Sequence, residues 1–306
     1  MARYKEVLAF VNNKGGVAKT TTTHAVAAAL LRKLRNSKVL VIDLDAQGNL
    51  SKLLRFELER NKWQVMGETP TVTDALTNAE NTEMSAMVYA APETPGLYFI
   101  PADTRLDNIG PQLDAMTQPN CALLNIFSQP FTYHKSVSYI QQQWAEINKM
   151  HKEDRVETGE PKYYIEDEFD YVLIDCPPGH GKLHMNAMSA ATGVIIPVQL
   201  EMMSVGGVAN IVESYRKVKR YINKDLTLRG LLRVMVDQRL LVAQSLTEAL
   251  KEQYGDIVFK TMIHRCTDVS KAQCMPMSVV EYAPHSTAGS DYLDFAQELI
   301  DTYEDK

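Results

Sequence analysis

Two lysines bracket a glycine pair within one short segment, Lys14-Gly-Gly-Val-Ala-Lys-Thr-Thr21, which follows an apolar run and opens an Ala-rich stretch. That combination suits phosphate. At a helix N-terminus, successive backbone N–H groups lack intrahelical partners and converge on anionic oxygens, and the helix dipole adds to the attraction. Gly15 and Gly16 let the backbone come close, Lys19 is placed to reach the β- and γ-phosphates, and the Thr20 hydroxyl is an oxygen ligand for Mg²⁺. Val17, Ala18 and Thr21 complete the loop. The strict GxxxxGK[ST] spacing is not met, since Asn13 and Ala18 stand where its first and last glycines belong.

Carboxylates follow at two further strand ends. Asp43-Leu-Asp-Ala-Gln-Gly-Asn49 comes after a second apolar run, and Phe169-Asp-Tyr-Val-Leu-Ile-Asp-Cys-Pro-Pro-Gly179 runs a strand into Asp175. Mg²⁺ takes oxygen ligands and keeps several waters, so a carboxylate at the carboxyl edge of a sheet can hold it beside a phosphate. Asp175 is the candidate for that role. Pro177, Pro178 and Gly179 form a tight turn directly after it.

The elements that must carry these residues are legible as short continuous apolar runs, the pattern of strands buried on both faces. They lie at Val7–Val11, Lys38–Asp43, Leu97–Pro101, Tyr171–Asp175, Gly193–Val198, Leu228–Val236 and Val258–Ile263. Helical patterns separate most of them, beginning with Thr20–Leu34. Such alternation predicts an α/β fold, a doubly wound, mostly parallel sheet flanked by helices. The chain reads as one domain, 1–306, with an insertion at about 119–168 in which Val137–Met150 is a candidate helix through Ile140, Trp144 and Ile147.

Composition sets limits on partners. The 306 residues are 45% hydrophobic and 23% charged, with a net charge of −6, so any nucleic-acid contact must be regional. Cys121, Cys176, Cys266 and Cys274 form no CxxC pair, which suggests neither a zinc site nor a disulfide framework. No run approaches the roughly 18 apolar residues of a membrane span. A cytoplasmic, soluble protein is expected.

The segment Lys14–Thr21 resembles the deviant Walker A motif of the ParA/MinD family of P-loop ATPases, where an additional signature lysine precedes the two glycines. Ala18 departs from the glycine that most members carry. The segments around Asp43 and Asp175 resemble further motifs of that family in the same order, and Ile195–Glu201, Val258–Arg265 and Val280–Ser286 resemble its later stretches. The resemblance implies ATP and Mg²⁺ as ligands. It implies Lys14 crossing to the phosphates of a second subunit in an ATP-closed sandwich dimer, Asp45 orienting the attacking water, and Asp43 near the metal. Adenine would be read near Val236–Arg239 and Ile263–Arg265, making Asp237 and Arg265 candidates. His264 stands where relatives commonly have proline, and a packing or solvent role is expected rather than a catalytic one.

Within that family the readings divide by what the dimer binds. Along Val208–Asn223, at about 100° per residue, Val208, Ile211, Val212, Tyr215, Val218 and Ile222 share one face, and Arg216, Lys217, Arg220 and nearby Lys224 share another. The basic face fits non-specific DNA contacts, although Glu213 lies on the same side. A ParA-type partition ATPase is expected, with a ParB-like or other DNA-binding activator and nucleoid association when ATP is bound. A MinD-like membrane-positioning ATPase would need a basic amphipathic end, but Asp291–Lys306 is acidic. That end is expected to be a helix packing Tyr292, Phe295, Leu299 and Tyr303. A nucleotide-gated adaptor with little turnover is the other alternative. Cysteine spacing does not support an electron-donating relative with a shared cluster.

Overall fold

The protein is described by a computed structural model covering residues 6–56, 70–77, 84–129, 131–133, 164–237 and 239–304. The strands are β1 (Glu6–Phe10), β2 (Val39–Asp43), β3 (Met84–Ala90), β4 (Leu97–Ile100), β5 (Phe131–Tyr133), β6 (Tyr171–Asp175), β7 (Gly193–Gln199), β8 (Thr227–Val236) and β9 (Val258–His264). They form one sheet in the order β5-β3-β4-β2-β6-β1-β7-β8-β9. Pairing is parallel throughout except between β3 and β4. All seven strands expected from the apolar runs are present; β3 and β5 extend the sheet beyond them.

The helices that bear on the core and the site are α1 (Lys19–Lys33), α2 (Asn49–Leu53), α3 (Ala122–Phe127), α4 (Lys182–Ala190), α5 (Met202–Tyr221), α6 (Leu241–Tyr254), α7 (Thr267–Cys274) and α8 (Thr287–Glu304). Apolar layers lie on both faces of the sheet. On one face α1 and α8 cover Leu8, Phe10, Val41 and Leu173, and on the other α4 and α5 cover Ala9, Ile42, Ile174 and Ile196. Every residue of β2 and β6 is buried, as a central parallel strand requires.

The stretch expected as an insertion begins inside the body of the fold. Ala122, Leu123, Ile126 and Phe127 of α3 are buried, and the Asn186 side chain of α4 fastens the segment by accepting from Leu123 N at 3.1 Å and donating to Pro119 O at 2.9 Å. The candidate helix Val137–Met150 lies outside the described residues. In α8, Tyr292, Phe295 and Leu299 are buried as expected; the side chain of Tyr303 lies outside the description. The Tyr292 hydroxyl meets the Thr22 hydroxyl of α1 at 3.1 Å.

Strand order explains where a site can form. β1 has β6 on one side and β7 on the other, with β2 and β4 beyond β6 and β8 and β9 beyond β7. Connections therefore leave the centre in opposite directions and open a crevice at the carboxyl ends of β1 and β6.

Candidate nucleotide site

The loop carrying both lysines leaves the carboxyl end of β1 and closes on α1. Gly16 has φ 75°, and Ala18, the residue before the helix, has φ 55° and ψ 27°. The latter is left-handed backbone, in which the Cβ of an L-residue crowds its own carbonyl at a cost of roughly 1–2 kcal/mol. No side chain caps α1 and its first turn holds no acidic residue. Gly15 to Thr21 instead line a cavity of about 850 Å³, whose far wall includes Met235, Ile263, Arg265, Cys266 and Gln273. Its size is that of an ordinary ligand pocket.

The two lysines of the loop lie in opposite settings. Lys19 is only 7% exposed, and its ammonium donates to the carbonyl of Lys14 at 3.1 Å. Burial holds its pKa below the usual lysine range, although Asp175 pulls the other way. The Lys14 side chain is 40% exposed and forms an ion pair at 2.5 Å with Glu201, the residue that precedes α5. One lysine points into the site and the other lies along its rim.

Asp43 and Asp175 are register partners on adjacent strands, and both are fully buried. Their oxygens are used differently. Asp43 accepts from Ser51 N at 2.9 Å, Ser51 Oγ at 2.7 Å and Asp45 N at 3.1 Å, tying β2 to α2. Neither oxygen of Asp175 has a well-formed hydrogen bond among the described residues. Burial and the Asp43 charge push Asp175 well above the usual carboxylate range, while the Thr20 hydroxyl and Lys19 draw it down. Two buried carboxylates side by side, one of them orphaned next to a threonine hydroxyl, make a donor set that the Lys19 charge alone does not balance. A hard divalent cation fits it.

Asp45 lines the cavity and accepts from Gln47 N at 3.0 Å. On the opposite wall the two adenine candidates separate. Arg265 lines the cavity, but Asp237 does not; its carboxylate is engaged by Arg239 at 2.8 Å, which lowers it to about 2. The cavity wall at this end of β8 is Met235, whose φ is 53°. His264 lines the cavity while its backbone N–H and ring Nδ1 both engage Asp291, at 2.8 and 2.9 Å. That is an anchoring role at the cavity wall.

Away from the cavity, Arg216, Lys217, Arg220 and Lys224 are all exposed at the C-terminal end of α5, and Val208, Ile211, Val212 and Val218 are buried beneath them. Glu213 pairs with Lys217 at 2.8 Å. No helix among the described residues is long and apolar enough to cross a membrane.

Comparison with known proteins agrees with this geometry. The family model described as "AAA domain" matches residues 5–132 and 136–228. An uncharacterized protein of Pseudomonas putida is 31% identical over 299 residues, covering 96% of this chain and 94% of that one. The chromosome partitioning protein ParA of Caulobacter vibrioides is 28% identical over 304 residues, covering 98% and 96%. The chain belongs to the ParA/MinD family of P-loop ATPases. Among solved structures, cobyrinic acid a,c-diamide synthase of Mycobacterium smegmatis with bound ADP and magnesium superposes with a TM-score of 0.66 at 25% identity, covering 98% and 96%. A plasmid partition protein of Borrelia burgdorferi superposes with a TM-score of 0.64 at 19% identity, covering 97% and 99%, and so shares the fold.

Several residues around this ParA/MinD-type loop escape sequence reasoning. Glu201 partners Lys14 across 187 positions, and Gln273 donates to the Thr21 hydroxyl at 2.9 Å from α7. Gln273 belongs to no motif, and Glu201 closes the family-like stretch Ile195–Glu201 without a role being assigned to it there. The carboxylate of Glu201, just past the end of an apolar strand, is the one weak signal that was available.

Proposed function

We propose that this ATPase is a partition-type switch, in which two ATP-loaded copies close face to face, hold DNA non-specifically, and separate after hydrolysis on contact with a DNA-binding activator. The reading rests on one observation, the opposite placement of the loop's two lysines. Lys19 is buried where the copy's own phosphates would sit, and Lys14 lies at the rim, where it can exchange Glu201 for the phosphates of a second copy. A cation supplied in trans neutralises charge that develops in phosphoryl transfer, and it couples closure to ATP. The partitioning role named for ParA of Caulobacter vibrioides supports the choice of cargo class.

In this proposal Gly15 to Thr21 bind the phosphates through backbone N–H groups, and Arg265 lies on the base side. Thr20 and Asp175 hold Mg²⁺, with Asp43 ordering the neighbouring loop through Ser51. When bound, the metal neutralises phosphate charge and orients the transferring group. Asp45 accepts a hydrogen bond from the attacking water and positions it in line with the γ-phosphorus. Asp237 has no base-binding part here, because Arg239 occupies it. We read residues 1–306 as a single P-loop domain, since β1 and β9 belong to one sheet. The acidic outward residues of α8, including Asp294 and Asp301, disfavour an anionic lipid surface.

Turnover with DNA and activator, alongside ATP-dependent dimerisation by light scattering, tests the proposal. Asp45→Ala should bind ATP and dimerise but lose turnover by at least about 10²-fold, the scale of one positioned general base. Lys14→Ala should bind ATP through Lys19 and remain monomeric. Wild-type turnover no faster than that of Asp45→Ala would exclude the switch, and a dimeric Lys14→Ala would exclude the trans role.

A further inference from the structure

A second, smaller cavity of about 250 Å³ lies behind the Pro177–Gly179 turn, between the loop, α4 and α5. It is separate from the nucleotide cavity, with which it shares no lining residue. Its wall holds an imidazole that has nothing to bond. His184 is 3% exposed, and neither ring nitrogen has a hydrogen-bond partner among the described residues. The buried Asn13 Nδ2 in the same wall is likewise without an acceptor. Orphaned buried donors cost on the order of 1–3 kcal/mol each, so two in one cavity call for a shared partner.

The character of that partner follows from the rest of the lining. His180 adds ring nitrogens, the Lys182 ammonium is engaged by Asp114 and by the carbonyl of Gly110, no carboxylate lines the cavity, and Met185 and Met188 give it an apolar side. The lining offers donors and no anion. Burial first, then the charges of Lys19 and His180, depress the His184 ring to about 4, so it is neutral at physiological pH and offers an N–H. Donors on one side, thioether and methylene surface on the other, and space below the usual volume of a drug-sized ligand describe a small amphiphile with an anionic oxygen head.

We infer that this cavity is a binding site for a short-chain carboxylate, its oxygens accepting from His184 and Asn13 and its hydrocarbon lying against Met185 and Met188. The site touches both halves of the nucleotide machinery. Asn13 precedes the phosphate loop and its carbonyl accepts from Gly179 N at 2.9 Å, while His180 and Gly181 continue directly from the turn. A bound carboxylate would fix these two segments relative to one another. The inference is independent of dimerisation and of DNA.

The test uses the full chain with ring-labelled histidine, titrated with butyrate, and with butanol and butylammonium as uncharged and cationic controls. Butyrate should shift the His184 ring resonances saturably, with a dissociation constant of about 1 mM or tighter. Butanol should bind at least about tenfold more weakly, and butylammonium not at all. His184→Gln, shown to be folded by its near-ultraviolet dichroism and by unchanged ATP binding, should lose the heat of butyrate binding in calorimetry. No saturable shift with butyrate, an equal response to butanol, or undiminished heat in folded His184→Gln would each overturn the assignment and leave a cavity filled by water. If His184→Gln does not fold, the ring titration of the wild type decides alone.

Discussion

Ala18 occupies a left-handed conformation that most members of the family assign to glycine, and this has a measurable cost. The strain of roughly 1–2 kcal/mol is offset in part by the lower entropy of alanine in the unfolded chain and by its methyl packing partly on the core. Ala18→Gly should therefore stabilise the protein by about 0.5 kcal/mol and raise Tm by 1–2 °C or so without nucleotide, read by thermal unfolding. A lower Tm would mean that the packing of the methyl outweighs the strain. Residues with chemistry written into a local motif, namely Lys19, Thr20 and Asp175, were legible in the sequence. Glu201 and His184 were not, because each acquires its meaning from a neighbour that only the fold supplies. Asp237 differs: the resemblance made it a candidate for a base contact, and its carboxylate pairs with Arg239 two residues on.

Among the elements, α1 is unusual in burying polar side chains along its first turns, Thr22, Thr23 and His24 included. Burial holds His24 at about 4, below the ordinary 6.5. As pH falls through 6.5 the unfolded chain takes up this proton first, so stability is lost between about pH 6.5 and 4 and is full above that window. At 1.36 kcal/mol per unit, the loss at pH 4 is on the order of 3 kcal/mol. His24→Leu should flatten urea-unfolding stability between pH 7 and 4.5, leaving the share due to His184, which has the same sign. An unchanged slope would show that His24 keeps its proton on folding. The central strands were legible because parallel strands buried on both faces must be continuously apolar. β3 was passed over although Ala86-Met-Val-Tyr-Ala90 is an apolar run, and it pairs antiparallel with β4 near the sheet edge. Likewise α3 spans only Ala122–Phe127, too short for its periodicity to announce a core helix after Pro119.

For the whole molecule, a net charge of −6 makes any polyanion contact regional, and the basic end of α5 is the place proposed for it. Basic residues at a helix C-terminus also complement its dipole, so their exposure alone does not establish a DNA surface. Doubling the patch in a dimer would convert weak contacts into ATP-dependent avidity. Wild-type protein with ATP should be retained on unrelated DNA sequences, with binding that falls steeply as salt rises. Replacing Arg216, Lys217 and Arg220 by alanine should abolish retention and leave dimerisation intact. Retention unchanged in that variant would move the DNA surface elsewhere on the dimer.

The contact between Tyr292 and Thr22 has a practical side. Because α8 lies directly against α1, that helix is the backing of the one that presents the phosphate loop. Reporters fused there for imaging, or trims made to aid crystallisation, act on the nucleotide site from behind. Movement or mislocalisation of such a fusion in cells is interpretable only after its ATP affinity has been matched to that of the untagged protein.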